Sequence, residues 1–207
     1  MKGPRGPIRR LTDEMRKESL RATLSAAPQE DDVWVFGYGS LMWNPNVTFV
    51  ERRIGSVRGY ERRLCVWSSR ARGTAVNPGI GFGLERGKGG CCGIVYRLDG
   101  ETLDADLRAL WEREMTTGIY QPHWLPVETG EGHISAIAFV VDPEHPQYAD
   151  GLSHEEIAEV IAQASGNYGP CSEYLEKTVQ ELVALGVNEP EFNKLLALVN
   201  ARIESSE

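Results

Sequence analysis

The 207-residue chain is 41% hydrophobic and 25% charged, a globular composition for one domain long enough to bury a core without disulfide or metal staples. No stretch approaches the roughly 18 to 20 apolar residues of a membrane span, so a membrane is not an expected partner. The net charge is −8, yet residues 1–23 carry +4 (Lys2, Arg5, Arg9, Arg10, Arg16, Lys17 and Arg21 against Asp13, Glu14 and Glu18) and the remainder −12. An acidic body of this kind lacks the positive footprint that nucleic-acid phosphates require.

Residues 1–30 read as a basic leader, a solvated Gly/Pro tail followed by a short helix from Thr12 to about Ser25 that Thr12 can cap. Residues 31–207 read as the main domain. Nothing before Val33 resembles the apolar core of a signal peptide, and a targeting peptide would hold fewer acids, so the chain is expected to be soluble and cytoplasmic. Cys65, Cys91, Cys92 and Cys171 form no Cys-x-x-Cys pair and read as reduced thiols. His123, His133, His145 and His154 match no zinc spacing, so neither a metal nor any other cofactor is expected.

Val33 to Phe36 is β-branched and aromatic, as a buried strand should be. It runs into Gly37-Tyr38-Gly39-Ser40-Leu41, where two glycines permit a turn whose successive N–H groups point at one spot, a receptor for a small anion. The plainer alternative is a core strand ending in a glycine turn. Ser40 is not a hydrolase nucleophile, because the elbow Gly-x-Ser-x-Gly is absent: Tyr38 and Met42 flank it two residues away. A hydroxyl or backbone donor is the better reading.

Further strands are predicted at Val47 to Val57 and Arg62 to Trp67, with Gly59 near the turn between them. A glycine-rich loop from Ser68 to Gly81 follows. Gly79-Ile80-Gly81-Phe82-Gly83 and Gly87-Lys88-Gly89 lack the spacing of nucleotide-binding motifs and read as hairpin glycines beside strands at Phe82 to Leu84 and Cys92 to Leu98.

Glu101 to Met115 is a predicted helix on which Leu103, Leu107 and Leu110 share a face, with Glu114 in the middle of that stripe and Glu112 pointing to solvent. A carboxyl aimed at the core from a helix C-terminus has its pKa raised toward neutrality, which suits a general acid/base. The competing reading is a frayed end whose carboxylate turns outward or pairs with Arg113. Strands near His123 to Glu128 and Ile134 to Val141 come next. Ser153-x-x-Glu156 then opens a helix with a capping box, which Gly166-Asn167 ends. Pro170 begins another helix, with Leu175, Val179 and Leu182 on one face, and a last one covers Glu191 to Ile203. The layout is α+β.

From Val33 to about Ala201 the chain resembles the ChaC family of γ-glutamylcyclotransferases, which act on glutathione. The resemblance rests on Val35-Phe36-Gly37-Tyr38-Gly39-Ser40-Leu41-Met42-Trp43, Arg72-Gly73-Thr74, Gly93-Ile94-Val95-Tyr96-Arg97-Leu98, Trp111 to Tyr120 with its Arg113-Glu114, and Ser172-Glu173-Tyr174-Leu175. It implies a mixed β-barrel core with flanking helices. It also implies that Tyr38, Gly39, Ser40 and Leu41 hold the γ-glutamyl end of the substrate, that Glu114 is the catalytic acid/base, and that Tyr120 and Tyr174 line the pocket with Arg72 among the binding residues. The implied reaction converts glutathione to 5-oxoproline and Cys-Gly. Ser68-Ser69-Arg70-Ala71-Arg72-Gly73 departs from the Ser-Thr-Asp-His-Arg-Gly of animal members, which bears on the Cys-Gly half of the substrate. Two alternatives remain: a cyclotransferase for other γ-glutamyl amines, and a non-catalytic γ-glutamyl sensor. Oligomeric state is not legible in the sequence.

Overall fold

The computed structural model describes residues 3–28 and 32–205. In chain order the elements are α1 (Asp13–Ser25), β1 (Trp34–Gly37), α2 (Ser40–Trp43), β2 (Phe49–Ser68), β3 (Gly79–Leu98), α3 (Leu103–Glu114), β4 (Tyr120–Thr129), β5 (Gly132–Val141), α4 (His154–Gln163), β6 (Ser165–Gly166), β7 (Gly169–Pro170), α5 (Cys171–Ala184) and α6 (Pro190–Glu204). They fall into two compact units. One comprises Ile8–Arg63 and Gly83–His145, the other Met1–Pro7, Leu64–Phe82 and Pro146–Glu207.

The first unit is built on a closed barrel, in the order β1-β3-β2-β4-β5 with β5 returning to β3. Closure leaves no sheet edge to be covered. β1 runs antiparallel to β3, from Trp34 opposite Arg97 to Gly37 opposite Ile94. It meets β5 in parallel at Val35 and Ile137, so β1 is buried along its whole length. β4 and β5 form a regular antiparallel hairpin from Tyr120 opposite Val141 to Thr129 opposite Gly132.

The apolar stripe of α3 lies on this barrel as its periodicity requires. Leu107, Leu110 and Trp111 join Val35, Leu41, Leu98, Met115, Ile137 and Phe139 in one buried cluster, and the Trp111 and Phe139 rings meet edge to face at 5.3 Å. An indole wholly or partly removed from water needs an acceptor for its N–H. For Trp111 it is the Ser19 hydroxyl at 3.2 Å, and for Trp124 the Thr23 carbonyl at 2.8 Å, both on α1. Thr12 caps α1 by accepting the Met15 N–H, and Leu11, Leu20 and Leu24 pack against the cluster. The leader helix is thus part of the barrel unit. The tail before it is not simply solvated either, since the Arg5 N–H donates to the Pro146 carbonyl at 2.8 Å.

Four short predicted strands merge into two strands of 20 residues each. Gly59 adopts φ 76° within β2 without ending it. Gly87 and Gly89 lie inside β3, where they make room for Glu61. A Cβ on Gly87 would stand 2.5 Å from the Glu61 carboxyl carbon, and that carboxylate accepts the N–H groups of Lys88 and Gly89 at 3.1 Å. Glycines needed for space carry the same letter as glycines needed for a turn, and here space is the reason.

In the second unit, α4 starts with the expected capping box: Ser153 Oγ accepts the Glu156 N–H and Glu156 returns the bond to the Ser153 N–H. The helix ends at Gln163, before the predicted Gly166. Gly166 sits in β6 because a Cβ there would lie 2.5 Å from the Gly73 nitrogen and 2.6 Å from the Ala71 carbonyl oxygen. α5 buries Leu175, Val179 and Leu182, and α6 buries Phe192, Leu195 and Val199. The Phe82 ring contacts Tyr174 at 5.7 Å and Phe192 at 5.0 Å.

Candidate active site

The barrel strand β1 ends at Gly37 and the chain turns through Tyr38 and Gly39 into α2. Neither glycine is at positive φ among the described residues, and Gly39 has φ −130°, so the unusual φ expected of them is not used. Close packing is the reason for Gly37. A Cβ there would lie 2.9 Å from the Leu41 Cβ and 3.1 Å from the Leu41 carbonyl carbon. Gly37→Ala is therefore expected to displace α2, costing about 1–3 kcal/mol as an overpacked position does and raising KM. Ser40→Ala should cost less on both scales. Urea unfolding and steady-state kinetics on the two variants check this ranking.

Long-range bonds lock the turn. The buried Tyr38 ring sends its hydroxyl to the Phe139 carbonyl at 2.6 Å, and the Tyr38 carbonyl accepts Nε of buried Arg62 at 2.5 Å. The same guanidinium also donates to the Cys92 carbonyl. Tyr96 donates to the carbonyls of Leu41 and Met42 at 3.1 and 2.9 Å. An α-helix leaves its first N–H groups without intrahelical acceptors, and α2 opens on Ser40 with no side-chain cap. The turn is thus held by a fixed frame of side-chain bonds, with the Met42 N–H donating to the Gly39 carbonyl at 2.9 Å.

Glu114 closes α3. Its side chain is 14% exposed and lies 3.0 Å from Arg113 Nε. Burial pushes its pKa up, against the opposing charge of Arg113. Of the competing reading only the pairing with Arg113 is seen, since the helix runs through Glu114 without fraying, and burial holds the carboxyl above its ordinary range despite that pairing. Glu112 is exposed, as expected. Arg113 also donates to Ser40 Oγ at 2.8 Å and to the Asn44 carbonyl at 2.6 Å, which ties Glu114 to the turn through one guanidinium. Tyr120, at the start of β4, packs half-buried against the core cluster that holds Leu41 and Trp111.

The remaining expected site residues belong to the second unit. The Arg72 side chain is 10% exposed, donating to the Pro170 carbonyl at 3.1 Å and to Glu173 at 3.0 Å, with its guanidinium over the Tyr174 ring at 5.7 Å. Tyr174 Oη accepts the Phe82 N–H at 3.1 Å. Bonds from Lys177 and then Arg72 hold the Glu173 carboxyl below the usual range. Cys171 is buried, its thiol pushed up to about 11, which makes it an inert structural cysteine. Among the described residues no cluster of His, Cys, Asp or Glu could hold a metal ion, and no helix is long and apolar enough to cross a membrane.

Tyr38, Gly39, Ser40, Leu41, Glu114 and Tyr120 are thus in one unit, and Arg72 and Tyr174 in the other. Sequence reading gives Arg62 only a place at the start of a strand and Tyr96 only a place in a motif, because their bonding partners are distant in sequence.

The barrel fold is one shared with solved γ-glutamyl cyclotransferases. A solved yeast γ-glutamyl cyclotransferase specific to glutathione superposes with a TM-score of 0.76 over 83% of this chain and 97% of its own, at 22% identity. A model of the ChaC-like proteins matches residues 33–202, and the chain belongs to that family. The Escherichia coli K12 glutathione-specific γ-glutamylcyclotransferase is 44% identical over 90% of this chain and 80% of its own length. The human glutathione-specific γ-glutamylcyclotransferase 1 is 32% identical over 82% of this chain and 78% of its own.

Proposed function

We infer that the protein is a γ-glutamylcyclotransferase that cleaves glutathione to 5-oxoproline and Cys-Gly. The observation that carries the reading is Glu114: a carboxyl whose pKa burial raises, joined through Arg113 to the Ser40 end of the turn. A carboxyl held above its ordinary range is a better proton acceptor than a solvated one and can return the proton it takes. The likeness to the E. coli relative at 44% identity supports glutathione as the substrate.

The reaction proceeds within the substrate. Glu114 takes a proton from the α-ammonium group, and the freed amine attacks the γ-carbonyl carbon to form the C–N bond of a five-membered lactam. The oxygen becomes an oxyanion, which backbone N–H groups and the Ser40 hydroxyl stabilise. The bond to the cysteinyl nitrogen then breaks as Glu114 returns its proton to that nitrogen. The second proton that the attacking nitrogen must shed to become the lactam N–H follows by the same carboxylate, so that Cys-Gly leaves as its ammonium form. No water is consumed. Because nucleophile and electrophile share one molecule, most of the acceleration comes from holding the bent conformer. Tyr38, Gly39 and Leu41 supply the turn, and Tyr120 is a further substrate-binding group of the same unit.

The test is purified protein with a panel of γ-glutamyl compounds and mass detection of 5-oxoproline. Glutathione is expected to be turned over best, and its α-carboxyl amide should bind far more weakly, because the turn would lose its anion. Release of 5-oxoproline from γ-glutamyl amino acids but not from glutathione would overturn the substrate assignment. Equal KM for the amide would move the anion site away from the turn.

A further inference from the structure

Arg113 is adjacent to Glu114, and neighbouring residues on a helix point about 100° apart, so only one of them can lie on the apolar stripe. The stripe takes Glu114. Arg113, partly exposed, reaches sideways to α2 and uses each nitrogen for a different partner: Nε meets Glu114 Oε1 at 3.0 Å, Nη2 donates to Ser40 Oγ at 2.8 Å and Nη1 donates to the Asn44 carbonyl at 2.6 Å. Ser40 is the first residue of α2 and Asn44 its C-cap, so one planar group spans the whole short helix. The rigid fork of a guanidinium fixes the angles between its bonds. Orienting it on α2 therefore orients the carboxyl it holds.

The Ser40 bond has a second consequence. Its oxygen accepts from Arg113, so the hydroxyl hydrogen is turned away from the guanidinium and remains available to donate. That is the polarity needed opposite a carboxylate or an oxyanion. We propose that Arg113 is a positioning residue for the cyclotransferase reaction, setting the Glu114 carboxyl and the donor orientation of the Ser40 hydroxyl together. The proposal rests on the function inferred above.

Charge and geometry act separately in this arrangement. The charge of Arg113 opposes the burial that raises the Glu114 pKa. β1 and α2 carry no charged side chain, and Arg16 on α1 is engaged by Asp13 and the Leu11 carbonyl. Beside Arg113 on α3, Glu112 faces solvent. Lysine at position 113 would keep the charge and lose the three-way fork, while glutamine would lose both.

The experiment compares wild type, Arg113→Lys and Arg113→Gln by pH profiles of kcat/KM, with Ser40→Ala added singly and in combination. For Arg113→Gln, kcat should fall about 10- to 100-fold, the worth of charge-assisted hydrogen bonds, and the acidic limb should move to higher pH. Arg113→Lys should return that limb toward its wild-type position without restoring kcat. The KM effects of Ser40→Ala and Arg113→Gln should be non-additive, because they remove one shared bond. If Arg113→Gln does not fold, Arg113→Lys decides: kcat per folded molecule lowered at an unchanged folded fraction, measured by circular dichroism and active-site titration, supports the proposal, and wild-type kcat per folded molecule overturns it. A merely structural arginine would lower the folded fraction and leave the limb in place. An active wild type with unaffected variants overturns this proposal alone, whereas a wild type that makes no 5-oxoproline overturns the cyclotransferase reading and this proposal with it.

Discussion

Glu114→Gln is expected to lower turnover on the order of 10² to 10⁴, the usual worth of a positioned acid/base, while leaving substrate binding largely intact. The amide preserves the shape of the carboxyl and its contact with Arg113, but it cannot take a proton from the ammonium and hand it to the leaving nitrogen. Glu112→Gln is the matched control, since Glu112 lies two residues away and faces solvent. Activity of the Glu114 variant close to wild type, on equally folded protein, would remove Glu114 from the mechanism.

The same substitution has a signature in stability. Burial raises the Glu114 pKa in the fold, so between its unfolded and folded values the native chain holds a proton that the unfolded chain has lost. Stability then falls as pH rises through that window and the loss is complete above it. The amide that Glu114→Gln introduces does not ionise. The variant should therefore melt above wild type at alkaline pH, with the difference shrinking as pH falls into the ordinary carboxylate range. An inactive variant that is also the more stable one is what a strained functional group produces. Thermal melts of both proteins across pH check the sign, and a wild type more stable than the variant at high pH would contradict it.

Local signals are legible where one element carries all the information. The stripe of Leu107 and Leu110 with Glu114 in phase locates the helix and its acid together, and Ser153 with Glu156 locates a helix start. Glycine is ambiguous in a way that periodicity cannot resolve. Gly59, Gly87 and Gly89 read as turns, yet the two long strands run through them, because what they accommodate is backbone twist and the Glu61 carboxylate from another strand. The frame of the turn is equally invisible: Arg62 bonds a carbonyl 24 residues away and Tyr96 one 55 residues away. Arg113 is legible only as a candidate ion-pair partner for Glu114 and as its neighbour in a motif. Its bonds to Ser40 and Asn44 span 73 and 69 residues, and only the fold brings those ends together.

Glutathione acetylated on its α-nitrogen is expected to be inert, because the proposed nucleophile is that nitrogen. Acetylation removes both the proton Glu114 must take and the lone pair that closes the lactam, whereas the α-carboxylate that the turn would hold is unchanged. The acetylated compound should therefore act as a competitive inhibitor while releasing no Cys-Gly. The first product of native glutathione should be 5-oxoproline, with no glutamate preceding it. A hydrolase using Ser40 or a cysteine would give the opposite pattern, releasing glutamate and accepting the blocked amine. Chelator should leave the rate unchanged, since every step is a proton transfer or an acyl shift assigned to Glu114, Ser40 and backbone donors. Mass spectrometry of early time points, with native and acetylated substrate run side by side, separates the two outcomes. Glutamate as the initial product, or Cys-Gly from the acetylated compound, would overturn the intramolecular mechanism.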